Sequence, residues 1–256
     1  MWLVALAHVA WAVEFSVAPV QSELVVAPGS TVTHTLQVQN QGDQVLSVRT
    51  YVWDWWYDGP SHRFEPPGTF ERSAAGWFTV FPQELQLNPG EVAKVQLNGS
   101  IPKDIEAGWF AVAFVEAHPV QDDPVGGMQL LPGGRIGSLL MLRAGRTGSR
   151  TLEAAAPRVT SAPGAPLDAF FDLTDKGDVH TFVELRAVLR DAKGGVVDRL
   201  DVRGMRLLPG QTRPLEAKGT TPLAAGDYEL VGSFVYGDDQ VLPVRTVLHL
   251  GTDAPQ

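Results

Sequence analysis

Residues Thr31-Val32-Thr33-His34-Thr35-Leu36-Gln37-Val38-Gln39 alternate, with Val32, His34, Leu36 and Val38 bracketed by polar side chains. A period of two describes a strand with one face in a core and the other in water. Further strand-like runs follow at 45–56, 77–81, 92–97, 109–117, 137–143, 182–191, 196–208, 228–236 and 241–250. Between them sit turn clusters such as Ala27-Pro28-Gly29, Asn40-Gln41-Gly42-Asp43, Asn88-Pro89-Gly90, Lys193-Gly194-Gly195, Pro209-Gly210 and Gly237-Asp238-Asp239. Short strands at near-regular spacing predict a sandwich. No amphipathic helix stands out, and Ile101-Pro102-Lys103-Asp104-Ile105-Glu106 amounts to one turn at most. The expected class is all-β, with two immunoglobulin-like β-sandwich domains in tandem.

The quieter stretch 118–134, with Asp122-Asp123-Pro124 and Pro132-Gly133-Gly134, places the expected domain boundary at 125/126. The charge distribution agrees, since 13–125 is strongly acidic while 126–256 is balanced. Both halves carry a Pro-Gly turn followed by a strand that opens on glycine and an aromatic residue. These are Asn88-Pro89-Gly90 with Gly108-Trp109, and Pro209-Gly210 with Gly226-Asp227-Tyr228. The Tyr at such a strand start can tie its hydroxyl to nearby backbone at a sandwich corner.

A net charge of −9 and a pI near 5.1 argue against a nucleic-acid binder. The absence of cysteine removes disulfides, thiolate zinc sites and cysteine nucleophiles together. Residues 1–12, Met-Trp-Leu-Val-Ala-Leu-Ala-His-Val-Ala-Trp-Ala, are apolar apart from His8 and end in a small-x-small pattern. They read as an export signal cut after Ala12, with a buried first strand as the alternative. No later run reaches the roughly 18 apolar residues of a membrane span.

Residues 13–125 contain Val25-Val26-Ala27-Pro28-Gly29 before a strand ending Val38-Gln39-Asn40. Next comes 80–90, Val-Phe-Pro-Gln-Glu-Leu-Gln-Leu-Asn-Pro-Gly, leading into Val92-Ala93-Lys94-Val95-Gln96-Leu97. Ile101-Pro102-Lys103-Asp104 and Gly108-Trp109-Phe110-Ala111-Val112-Ala113-Phe114 follow. In order and spacing this half resembles the N-terminal domain of PapD-like periplasmic pilus chaperones. The second half is similar only to a generic bacterial immunoglobulin- or fibronectin-like sandwich.

The resemblance implies a periplasmic chaperone that lends a strand to incomplete pilin-like or other surface-structure subunits. Backbone hydrogen bonds would supply affinity, and alternate apolar side chains would fill the subunit's groove. The implied donor lies in 128–142, with Ile136, Ser138, Leu140 and Leu142 on one face and Gly137, Leu139 and Met141 on the other. A strand apolar on both faces also reads as a buried sandwich strand. The family holds a subunit carboxylate with a basic pair. Here Glu23 stands at the first of those places and Gly137 near the second, with Arg135 close by.

The run Tyr51-Val52-Trp53-Asp54-Trp55-Trp56-Tyr57 puts Trp53, Trp55 and Tyr57 on one face and Val52, Asp54 and Trp56 on the other. Only one face can point into a sandwich. The other is either a binding platform for glycan or protein, or a satellite cluster covered by the Pro- and Gly-rich loop 58–76. Asp172 to Asp178 lacks the terminal Glu of a calcium loop and reads as a hairpin connection. The six histidines are scattered, and neither a nucleophile elbow nor a phosphate loop occurs. The expectation is therefore non-enzymatic, with no metal or cofactor. Ile136, Leu140, Leu142, Trp53, Trp55 and Tyr57 are the candidate partner-binding residues. A structural or adhesive envelope protein with an aromatic binding surface is the alternative.

Overall fold

The computed structural model describes residues 13–59, 61–120 and 133–251. The expected export signal, and residues 128–132 of the expected donor segment, lie outside the described residues. The chain divides into two compact units. Of the described residues, those within 13–55 and 64–145 form the first and those within 56–63 and 146–251 the second.

The first unit is built on strands β1 (Phe15–Ala18), β2 (Gln21–Val26), β3 (Thr31–Asn40), β4 (Leu46–Asp58) and β5 (Ser61–Glu65). They are joined by β6 (Phe78–Phe81), β7 (Glu84–Leu87), β8 (Val92–Ser100), β9 (Gly108–Pro119) and β10 (Gly134–Ala144). One sheet runs β1-β3-β8-β6 and the other β2-β10-β9-β4-β5, with β7 paired to the start of β4. Period-two alternation sends Leu36, Val38, Val95 and Leu97 from one sheet against Val48, Val52, Ala111, Ala113, Val115, Leu140 and Leu142 from the other. Each fully buried leucine in such a layer contributes about 2 kcal/mol.

The second unit holds β11 (Leu152–Ala154), β12 (Arg158–Val159), β13 (Pro166–Asp175), β14 (Thr181–Arg190), β15 (Val196–Leu207), β16 (Thr212–Pro222), β17 (Gly226–Tyr236) and β18 (Gln240–Leu250). In one sheet β13 pairs with β11, β12 and β16; the other runs β15-β14-β17-β18. Leu167, Ala169, Phe171 and Leu173 of β13 pack on Val183, Leu185, Leu230 and Phe234, with the Phe171 and Phe234 rings edge to face at 5.3 Å. The two paired sheets in each unit make the fold all-β and sandwich-like. Among the described residues, helix is confined to one 3-10 turn at Ala75–Trp77.

The corner expectation holds at Tyr228, and Trp109 makes a bond of the same kind in the first half. Trp109 donates its indole N–H to the Glu106 carbonyl at 2.8 Å, and Tyr228 donates its hydroxyl to the Ala224 carbonyl at 3.0 Å. Each aromatic residue thereby fixes the turn that enters its strand. Two local features differ from the sequence reading. Asp175 to Thr181 joins β13 and β14, which belong to different sheets, so the connection arches across the sandwich rather than closing a hairpin. The division between units falls at Gly145–Arg146, after β10, because β10 is hydrogen-bonded into the first unit by both β9 and β2.

Candidate functional site

The chain changes sheets at its first proline. Strand β1 pairs with β3, whereas β2 runs parallel to β10 in the opposite sheet, with the switch at Ala18-Pro19-Val20. The Ser138 hydroxyl donates to the Pro19 carbonyl at 2.7 Å, and the Leu139 N–H donates to the Val20 carbonyl at 2.9 Å. These two bonds mark where β2 begins to cover β10. The pairing then runs from Leu139 to Ala144. Before that point, residues Gly134 to Ser138 are paired to β9 on one side, and no strand among the described residues pairs with the other.

Backbone groups of a strand alternate in direction. Since the Leu139 N–H points toward β2, the N–H and C=O of Gly137 and Arg135 point to the same, uncovered side. Side chains alternate as well. Ile136 turns inward and packs, partly exposed, against the core, while Arg135 and Gly137 face outward. The entry to the strand is tight. A Cβ on Gly133 would fall 2.2 Å from the His118 ring, and one on Gly134 would fall 2.8 Å from the Phe15 ring. Glycine at both places lets the backbone pass against those rings. Phe15 itself is only partly buried, so the open edge has an apolar inner wall of Phe15 and Ile136.

The outward side is aromatic. Arg135 lies with its guanidinium 4.4 Å above the Phe114 ring. Around Phe114 stand Tyr51 at 5.6 Å, Trp53 at 6.1 Å and Phe64 at 4.9 Å. The Tyr51 hydroxyl donates to Glu116 at 2.6 Å, and an Arg135 nitrogen lies 3.4 Å from the Tyr51 oxygen and 3.9 Å from Glu116. Burial and then the Glu116 carboxylate hold the Tyr51 phenol above its ordinary pKa. The phenol is thus a hydrogen-bond donor that orders the rim of the edge.

The residues singled out in the sequence take different places. Ile136 is at the open stretch. Leu140 and Leu142 point into the first unit's own core, and both are 0% exposed. Trp53 joins the half-buried cluster around Phe114. Trp55, 1% exposed, stacks edge to face on Phe110 at 6.0 Å and directs its indole N–H toward the Leu140 carbonyl at 3.5 Å. Tyr57 belongs to the second unit, where Arg213 sits 3.8 Å over its ring and Gln211 donates to its carbonyl at 2.7 Å. Glu23 is exposed on β2 in register with Met141.

The Pro- and Gly-rich stretch 58–76 is more ordered than its composition suggests. It contains β5 and the 3-10 turn, and Phe64 from β5 is what packs on Phe114. Buried Asp54 pins the rest, accepting from the Thr69 N–H at 2.7 Å, the Phe70 N–H at 3.1 Å and the Ser73 hydroxyl. Phe15, Pro19 and Phe114 were missed as contributors to the edge. Pro19 between two short apolar runs was the available signal for a sheet switch.

No family model matches the sequence, and no curated protein does. Solved structures do match. A chain of the chaperone–tip adhesin complex of CFA/I fimbriae biogenesis superposes with a TM-score of 0.50 at 12% identity, covering 91% of this chain and 98% of its own. The chain has the fold of PapD-like pilus chaperones. A chain of the Salmonella enterica SafA pilin–SafB chaperone complex gives 0.49 at 14% identity over 94% of this chain and 99% of that one. The Acinetobacter baumannii CsuC–CsuE chaperone–tip adhesion subunit complex gives 0.48 at 12% over 91% and 97%. At such identities the pilus-chaperone likeness is one of fold.

Proposed function

We propose that this chain is an exported, non-enzymatic chaperone that holds pilin-like or other surface-structure subunits by β-strand addition. The observation that carries the reading is the split in β10. A strand otherwise locked into the sheet offers two outward-facing backbone positions, Arg135 and Gly137, beside an apolar wall of Phe15 and Ile136. An extended segment laid along this edge gains main-chain hydrogen bonds from those positions and seats alternate apolar side chains against that wall. Leu140 and Leu142 serve the site from beneath, by anchoring β10 in the core. Trp53, with Tyr51 and Phe64, flanks the edge on its outer side. The anchoring of a subunit carboxylate by a basic pair is not part of this proposal, because exposed Glu23 would repel it.

The test is co-expression with a pilin-like subunit whose sandwich lacks a strand, followed by size-exclusion of the pair. The wild type is expected to hold the subunit in a soluble one-to-one complex. Arg135→Pro removes an outward N–H without removing a β9 hydrogen bond, so capture should fall about tenfold or more with little change in melting temperature. Arg135→Ala keeps the N–H and should still capture. Elution of the wild type alone, or equal capture by the proline variant, rejects strand addition at this edge.

A further inference from the structure

Asp175 ends β13 in the second unit, far in role from the β10 edge, and its side chain is 0% exposed. One carboxylate oxygen, Oδ1, accepts from the Gly177 N–H at 2.8 Å. The other, Oδ2, has no hydrogen-bond partner among the described residues. Two more oxygens nearby share that condition. The Thr181 hydroxyl beside the carboxyl is buried without a well-formed bond, and so is Oε1 of Gln211, whose amide nitrogen is turned to the Tyr57 carbonyl. The backbone fixes this arrangement, since Asp175 N–H donates to Gln211 O at 3.0 Å and Gly210 N–H donates to Asp175 O at 2.9 Å.

The charged groups around Asp175 do not supply the missing donor. Arg150 gives its guanidinium to Asp238 at 2.8 Å and to the His180 carbonyl at 3.3 Å. Lys176 turns to Glu153 at 3.5 Å. Asp178 adds a like charge, and His180, 4% exposed, lies on the same connection. The turn 208–211 contributes no charged side chain. A buried carboxylate oxygen without a well-formed donor is costly, and protonation removes that charge and gives the carboxyl a donor of its own beside the Thr181 and Gln211 oxygens.

We propose that Asp175 is a proton-binding site of the folded second unit, so that mild acid tightens this unit rather than loosening it. Burial pushes the carboxyl up to about 6, against the Gly177 N–H, Thr181 and Arg150, with Asp178 adding to the rise. The folded value lies above the unfolded 3.8, so the folded unit binds the proton more tightly. The added stability is full below 3.8 and is lost as pH rises through about 6.

The experiment is urea unfolding of the full chain, followed by hydrogen exchange in peptides covering β13 and the 208–211 turn, for the wild type and Asp175→Asn. Between about pH 7.5 and about pH 4.5 the wild-type folding equilibrium should gain ten- to a hundredfold relative to the variant. The variant should equal or exceed the wild type at the higher pH. Parallel pH dependence of the two overturns the proposal. A carboxyl-carbon NMR titration of Asp175 in the wild type gives an independent reading: a midpoint near 6 supports the proton site, and one near 4 rejects it.

Discussion

The two halves of β10 have the same backbone conformation and different neighbours. From Leu139 to Ala144 the strand is paired on both edges, its inward leucines are sealed in the core, and Trp55 lies buried against Phe110 on its outer face. From Gly134 to Ser138 it is paired on one edge, its inward Ile136 is partly exposed, and the outer face carries Arg135 above a half-buried aromatic cluster. A strand can donate its backbone to a partner only where its own sheet leaves it unpaired, and it can do so without unfolding only if the rest is firmly held. The locked half is what makes the open half usable.

The largest expected effect comes from breaking the locked half. Leu140→Asp places a carboxylate at a fully buried core position and should cost the first unit about 4 kcal/mol or more, lowering its melting temperature or abolishing soluble expression. Calorimetry that showed an unchanged first unit would contradict the assignment of Leu140 to the core. Next in size is the contrast between the two tryptophans. Trp55→Ala should cost about 3–5 kcal/mol, and Trp53→Ala, at a half-exposed ring, distinctly less. Equal losses in urea unfolding would show that this face is not sealed at Trp55 and partly open at Trp53 as described. The smallest change moves the border itself. Ser138→Ala deletes the bond to the Pro19 carbonyl and should cost about 1 kcal/mol, with faster hydrogen exchange at the Leu139 N–H while β9 amides stay protected.

Much of the strand inventory was legible. The alternation at 31–39, 92–97 and 241–250 became β3, β8 and β18 with only their ends extended. Other strands were hidden by their residue types. In β13 the buried face is Leu167, Ala169, Phe171, Leu173 and Asp175, a regular period of two, but the intervening Asp168 and Asp172 read as turn chemistry. In β16 only Leu215 and Ala217 are buried, and Pro214, Lys218 and Gly219 disguise the strand as a loop. Strands this polar form because neighbours already in place satisfy their backbone, not because of their own propensity.

For the candidate site, the shared face of Ile136, Leu140 and Leu142 follows from spacing alone, since side chains two apart in a strand must point the same way. That Leu140 and Leu142 are sealed while Ile136 stands at an open edge does not follow, for it depends on where a segment more than a hundred residues earlier switches sheets at Pro19. The same holds for Trp53 and Trp55, equivalent by period but separated by what packs against each. Local alternation of apolar and polar residues is a property of the chain and fixes which residues share a face. Edge pairing and burial are properties of the assembled sheets, and only the tertiary structure decides them.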